Sequence, residues 1–218
     1  MAEAGLVLEQ VQIALGREVI VALDARVAPG AVLTVMGPSG AGKSTLLAAI
    51  TGTLAPAFSF RGRILLEGRD ITALPTQERR VGILFQDELL VPHLSVGDNL
   101  AFGLSPAVRG RAARRAAIEQ ALAEVGLAGF AARDPATLSG GQRARVALMR
   151  MLLASPRALL LDEAFSRLDA ELRAQVRSLV LARAKARGLP VVMVTHDPGD
   201  AEAAGGPVHL IGAGGTLP

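Results

Sequence analysis

The 218-residue chain contains no cysteine, tryptophan or tyrosine, which excludes disulfides, thiol chemistry and zinc–cysteine clusters and removes the side chains that best stack on nucleic-acid bases. Its formal charge is only +3 and half its residues are hydrophobic, so neither disorder nor a nucleic-acid partner is expected. No run approaches the roughly 18 apolar residues of a spanning helix. The stretch from Met1 to Glu9 lacks a basic start followed by an apolar segment, so no signal peptide is expected. A chain that is soluble when isolated, touching a membrane only through partner proteins, follows.

Short apolar runs alternate with helical stretches, the pattern of an α/β fold with a largely parallel sheet. Residues 6–13 and 19–27 read as sheet. Residues 32–35 read as a buried strand that ends at Gly37, and residues 43–50 as a helix. Between them, Gly37-Pro38-Ser39-Gly40-Ala41-Gly42-Lys43-Ser44, followed by Thr45, fits G-x-x-x-x-G-K-[ST] in the strand–helix setting that the motif requires. Such glycines let successive backbone N–H groups turn inward as an anion nest, and the helix N-terminus adds partial positive charge. Lys43 then reaches β- and γ-phosphates, and the Ser44 hydroxyl ligates Mg²⁺. Lys43 is one of only two lysines, against twenty-one arginines.

Residues 62–66 read as another strand. From Ser95 to about Ser155 the chain is mainly helical. Over residues 112–125, Ile118, Leu122 and Val125 share one face, with Arg115 and Glu119 at pairing distance on the other. Asp134-Pro135 breaks this pattern before a helix over residues 142–153. The reading is one domain, with a helical insertion at 87–156 in an α/β core formed by 1–86 and 157–218.

Residues 158–161 form a buried strand leading into Asp162 and Glu163, two carboxylates at the strand end where open α/β sheets bind ligands. Adjacent residues point in different directions, so Asp162 is free to hold Mg²⁺ while Glu163 orients and deprotonates water. A helix N-cap with a first-turn acid is the plainer reading of this pair taken alone. Val191–Thr195 is a third strand, opened by Pro190 and closed by His196-Asp197-Pro198. The tail, residues 207–217, makes at most one strand and a glycine turn. Two features stay open. The basic run 109–115 either touches a polyanion or lipid headgroups, or is the solvated start of a helix. Leu89, Leu90, Pro92 and Phe102 either form a groove for a partner helix or pack as plain core.

Leu138-Ser139-Gly140-Gly141-Gln142, opening a helix, resembles the signature of ABC ATPases. Phe85-Gln86-Asp87 resembles the family's Q-loop, Ser166-Arg167-Leu168-Asp169 its D-loop and Thr195-His196-Asp197 its switch histidine, in the family's order. The resemblance runs from Leu6 to about Ile211. It implies a P-loop NTPase (RecA-like) core with an N-terminal antiparallel β subdomain and an inserted helical signature subdomain. It further implies hydrolysis of ATP to ADP and phosphate with Mg²⁺. In that scheme Ser139, Gly140, Gly141 and Gln142 close over ATP held by a second copy in a head-to-tail dimer. Gln86 contacts Mg²⁺ or water and senses an integral membrane permease, and His196 holds the γ-phosphate edge. Residues 82–87 and 134–145 look most like binding-protein-dependent importers, in particular their small Ynj-type subunits. This implies a permease, a solute-binding protein and a place on the cytoplasmic side of the cell membrane. An exporter subunit and a soluble, non-transport ABC ATPase are the alternatives.

The sequence departs from the family pattern at two positions. Leu15 stands where relatives carry an aromatic that stacks on adenine, and Ala164 stands where most have proline. The first predicts weaker nucleotide binding or poor discrimination of ATP from GTP. The second predicts a looser turn with no chemical group lost. The C-terminal regulatory domain of some importer ATPases is not expected.

Overall fold

The computed structural model describes residues 5–87 and 89–212. Contacts divide the chain into two compact units: Met1–Ile83, Arg157–Glu163 and Leu181–Pro218 in the first, and Leu84–Pro156 and Ala164–Val180 in the second.

Two sheets supply the core of the first unit. β1 (Leu6–Leu15) and β2 (Glu18–Val27) form an antiparallel hairpin, and β1 pairs on its other edge with β4 (Phe58–Leu66), which pairs with β5 (Arg69–Asp70). Strict alternation would turn the apolar residues of β1 outward after Leu8. A bulge between Leu8 and Val11, with Gln10 at φ 48°, keeps Leu6, Leu8, Val11 and Ile13 buried on one side. The second sheet has the order β6 (Val81–Phe85), β7 (Ala158–Asp162), β8 (Val191–Thr195), β3 (Val32–Met36), β9 (Val208–Leu210). β3 runs parallel to β8 and β9, and β7 runs parallel to β8. β7 and β8 are almost wholly apolar runs, as expected of strands covered on both faces. Leu33, Val35, Leu160, Val192 and Val194 join Leu46 and Ile50 of α1 (Lys43–Thr51) in one buried cluster. α2 (Thr76–Arg79) and α7 (Pro198–Ala204) complete this unit's short helices.

The second unit is helical: α3 (Val96–Gly103), α4 (Arg111–Glu124), a 3₁₀ turn at Pro135–Thr137, α5 (Gly140–Leu153), and the N-terminal part of α6 (Ala170–Ala186). Its buried side chains include Leu100, Leu122, Val125, Val146, Leu148 and Leu152. Asn99 is fully buried and holds the preceding loop, accepting from the Val91 N–H at 2.8 Å and donating to the carbonyls of Val91, Leu94 and Ser95.

The strand at 62–66 begins earlier than its sequence pattern indicates, at Phe58. The helix expected from residue 142 begins at Gly140. β6 and α6 have no counterpart in the sequence reading. Of the tail, β9 is present, while residues 213–217 of that reading lie outside the described residues, as do residues 1–4. Among the described residues, no helix is long and apolar enough to cross a membrane.

Candidate active site

The C-terminal ends of β3, β8 and β7 lie side by side in the first unit because β8 runs parallel between the other two. The loop after each strand therefore delivers its first side chains to one place. After β3, the chain turns through Gly37–Gly42 into α1. Gly42 is the N-cap of α1 at φ 92°, and a Cβ there would lie 2.6 Å from Cγ2 of Ile20, so both conformation and space demand glycine. Lys43 is 6% exposed and its ammonium donates to the carbonyls of Gly37 (2.9 Å) and Pro38 (3.0 Å). The loop thus holds its own lysine folded inward.

β7 brings up the carboxylates. The Ser44 hydroxyl donates to Asp162 Oδ1 at 3.2 Å. Burial pushes the Asp162 carboxyl above the usual carboxylate range. The Ser44 hydrogen bond and the charge of Lys43 act against that rise, and the charge of Glu163 adds to it. Glu163 adopts φ 46°, a left-handed conformation costly for a residue with a Cβ, and its N–H donates to the Val194 carbonyl. This turn aims its carboxylate at the side chains of Lys43 and His196. Oε1 lies 3.7 Å from Lys43 Nζ and Oε2 lies 3.3 Å from His196 Nδ1, the first residue beyond β8. Lys43, Ser44, Asp162, Glu163 and His196, read separately along the chain, thus form one contiguous group in the first unit.

Gln86 and the Ser139–Gln142 turn belong to the second unit. Gln86 follows β6 and is exposed. Ser139 caps α5 in a reciprocal box: its hydroxyl accepts from the Gln142 N–H at 3.3 Å, and Gln142 Oε1 accepts from the Ser139 N–H at 3.0 Å. A Cβ on Gly141 would sit 2.4 Å from Leu172 Cδ1, so a larger residue there would have to push the Leu172 side chain of α6 aside. Ahead of α6, Asp169 Oδ1 accepts from the Leu172 N–H, and Arg167 pairs with Asp87.

The model of ABC transporter domains matches residues 21–166 of the chain. The chain belongs to the ABC transporter family. Among its relatives is the uncharacterized ABC transporter ATP-binding protein YnjD of Escherichia coli K12, 53% identical over 174 residues and 80% of each chain. The thiamine import ATP-binding protein ThiQ of Cereibacter sphaeroides is 52% identical over 178 residues, 82% of this chain and 76% of its own. The Fe(3+) ions import ATP-binding protein FbpC 1 of Rhizobium meliloti is 44% identical over 181 residues, 83% of this chain and 50% of its own. As an ABC ATP-binding subunit the chain binds ATP and is an ATPase, and the fold expected of it, a P-loop core with an antiparallel sheet and a helical part, is the fold observed.

Several residues that shape this ABC subunit carry no signal in the sequence. Buried Arg79 caps the C-terminal end of α1, and nothing in the sequence separates it from twenty other arginines. Asn99, directly after Asp98, reads as a solvated residue of a first helical turn, and Asp200 reads as an ordinary first-turn acid.

Proposed function

We propose that this subunit hydrolyses ATP at the Lys43–Glu163–His196 group to drive import of a small solute through a membrane permease. The observation that carries this reading is the position of Glu163, within 4 Å of both the cradle lysine and His196. ATP entering the cradle draws Lys43 from the carbonyls of Gly37 and Pro38 to its β- and γ-phosphates, while backbone N–H groups of the loop and the N-terminus of α1 offset further charge. Ser44 and Asp162 present a hydroxyl and a carboxylate already in contact. This pair of hard oxygen donors suits Mg²⁺, which takes few protein ligands beside phosphate oxygens. Held by Ser44 and Asp162, Mg²⁺ would supply positive charge that offsets the charge of the phosphate oxygens. Once Lys43 turns to phosphate, Glu163 is released to accept a proton from the attacking water, and His196 steadies the γ-phosphate edge. Gln86 contributes a contact to water or metal.

Two copies meet head to tail, each presenting Ser139, Gly140, Gly141 and Gln142 to ATP held by the other. The thiamine and Fe(3+) relatives, both import ATP-binding proteins by name, support import; permease and solute-binding partners and a station on the cytoplasmic face of the membrane complete the proposal. Leu89 is 57% and Phe102 75% exposed, and Pro92 is exposed too. Apolar groups left open in this way favour a permease-helix site over plain core.

Glu163→Gln keeps the shape of the side chain and removes its basicity. Turnover should fall about 10²–10⁴-fold, with binding of a fluorescent ATP analogue retained. Turnover at the wild-type rate would remove Glu163 from the role.

A further inference from the structure

The loop that carries His196 is closed by a buried polar pair that the reaction itself does not use. Thr195, the last residue of β8, is 3% exposed, and its Cα partner across the sheet is Met36, the residue before the cradle. Its hydroxyl accepts from the Asp197 N–H at 3.0 Å and donates to Oδ2 of Asp200 at 3.3 Å. Asp200 lies in the first turn of α7 and is 4% exposed. A third bond, from the Gly199 N–H to Asp197 Oδ1 at 2.8 Å, tightens the same turn. Both chain neighbours of His196 are therefore tied to one hydroxyl, and that hydroxyl is tied to a buried carboxylate. His196 itself is left with a side chain 60% exposed, facing Glu163.

A buried carboxylate costs stability unless its hydrogen bonds are made, and apolar replacements of such groups are often neutral or stabilising. A purely structural loop would do as well with a valine and an alanine. What the polar pair adds is direction, since a hydroxyl that both accepts and donates fixes the peptide on each side of the histidine. We propose that Thr195 and Asp200 are positioning residues for His196, holding its imidazole at the reacting end of the site. The inference rests on the role given to His196 above.

The test is a double-mutant cycle on steady-state ATP hydrolysis. Thr195→Val keeps the shape and removes both hydroxyl bonds, while Thr195→Ser keeps the hydroxyl. Thr195→Val should lower kcat about 10–100-fold, the scale of a misplaced catalytic group, with KM for ATP little changed, and Thr195→Ser should restore most of the rate. In a His196→Ala background, Thr195→Val should add no further loss. The same factor lost in both backgrounds would show a general structural effect and overturn the inference while leaving the role of His196 standing. Wild-type turnover by His196→Ala alone would overturn that role, and the inference with it. If Thr195→Val does not fold, Asp200→Ala is carried through the same cycle and judged by the same outcomes.

Discussion

Arg79 offers the sharpest energetic test of how the phosphate cradle is supported. Among the described residues it meets no carboxylate, and its buried guanidinium is instead spread over four carbonyls. Nε donates to Leu74 (2.8 Å), one Nη to Ala49 (2.7 Å) and Ile50 (3.0 Å), and the other Nη to Thr72 (2.6 Å). Ala49 and Ile50 belong to the last turn of α1, so the cation meets the negative end of the helix whose positive end closes the cradle. Burial lowers the guanidinium pKa without discharging it. Arg79→Met keeps the length of the stem and deletes every donor. Charge-assisted hydrogen bonds contribute about 1.5–3 kcal/mol each, but four on one group do not add. Breaking a buried charged network typically costs about 3–5 kcal/mol, a large share of the roughly 5–15 kcal/mol that holds a domain folded. At about 2–4 °C per kcal/mol for a chain of this size, Tm should drop by about 6–20 °C. Arg79→Lys, which keeps the charge but not the planar fork, should fall between. With no tryptophan or tyrosine in the chain, far-UV circular dichroism is the suitable probe for thermal and urea unfolding. A Met variant within about 1 kcal/mol of wild type, a typical scatter for single substitutions, would refute the account of α1 as a helix clamped at its C-terminal end.

Two further outcomes follow from the same geometry. A carboxyl whose pKa is raised in the fold makes the ionised native state costly, so stability falls as pH rises from the unfolded value of about 3.9 through the higher folded one. Asp162→Asn removes that loss, and its ligand-free Tm at pH 7 should equal or exceed that of wild type while ATP turnover is abolished; a lower Tm would contradict this. Leu15, 47% exposed at the end of the hairpin, has Glu18 and Phe58 as its strand partners. Leu15→Tyr should tighten ATP binding by about 5–150-fold, the equivalent of 1–3 kcal/mol of base stacking, and raise the preference for ATP over GTP. Equal affinities by equilibrium dialysis would mean that the hairpin end does not meet the base.

Much of the first unit was legible because its strands are short apolar runs ended by glycine, proline or acids. The grouping of Lys43, Ser44, Asp162, Glu163 and His196 as candidates was legible because these residues lie at or just beyond the ends of β3, β7 and β8. β6 escaped because Gly82 interrupts a run of only five residues flanked by arginine and glutamine, too little to separate a strand from a loop. α6 escaped because alanine and arginine fill it without a clear apolar period. The start of α5 was misplaced by two residues: glycine is a poor helix former, but the box between Ser139 and Gln142 secures a first turn that propensity alone would reject. The tie between Thr195 and Asp200 was invisible for a different reason. It depends on how α7 folds back against the end of β8, and no sequence period encodes that.

In the proposed mechanism ATP is cut between the cradle of one copy and the Ser139–Gln142 turn of another. Complementation between two inactive variants tests it most directly. Lys43→Ala destroys a cradle and Ser139→Arg a capping turn, and each variant alone should be inactive. Random mixing of the two should recover about a quarter of wild-type turnover, since half the closed dimers are mixed and each holds one intact seam. A mixture as inactive as its parts would contradict a site shared between copies.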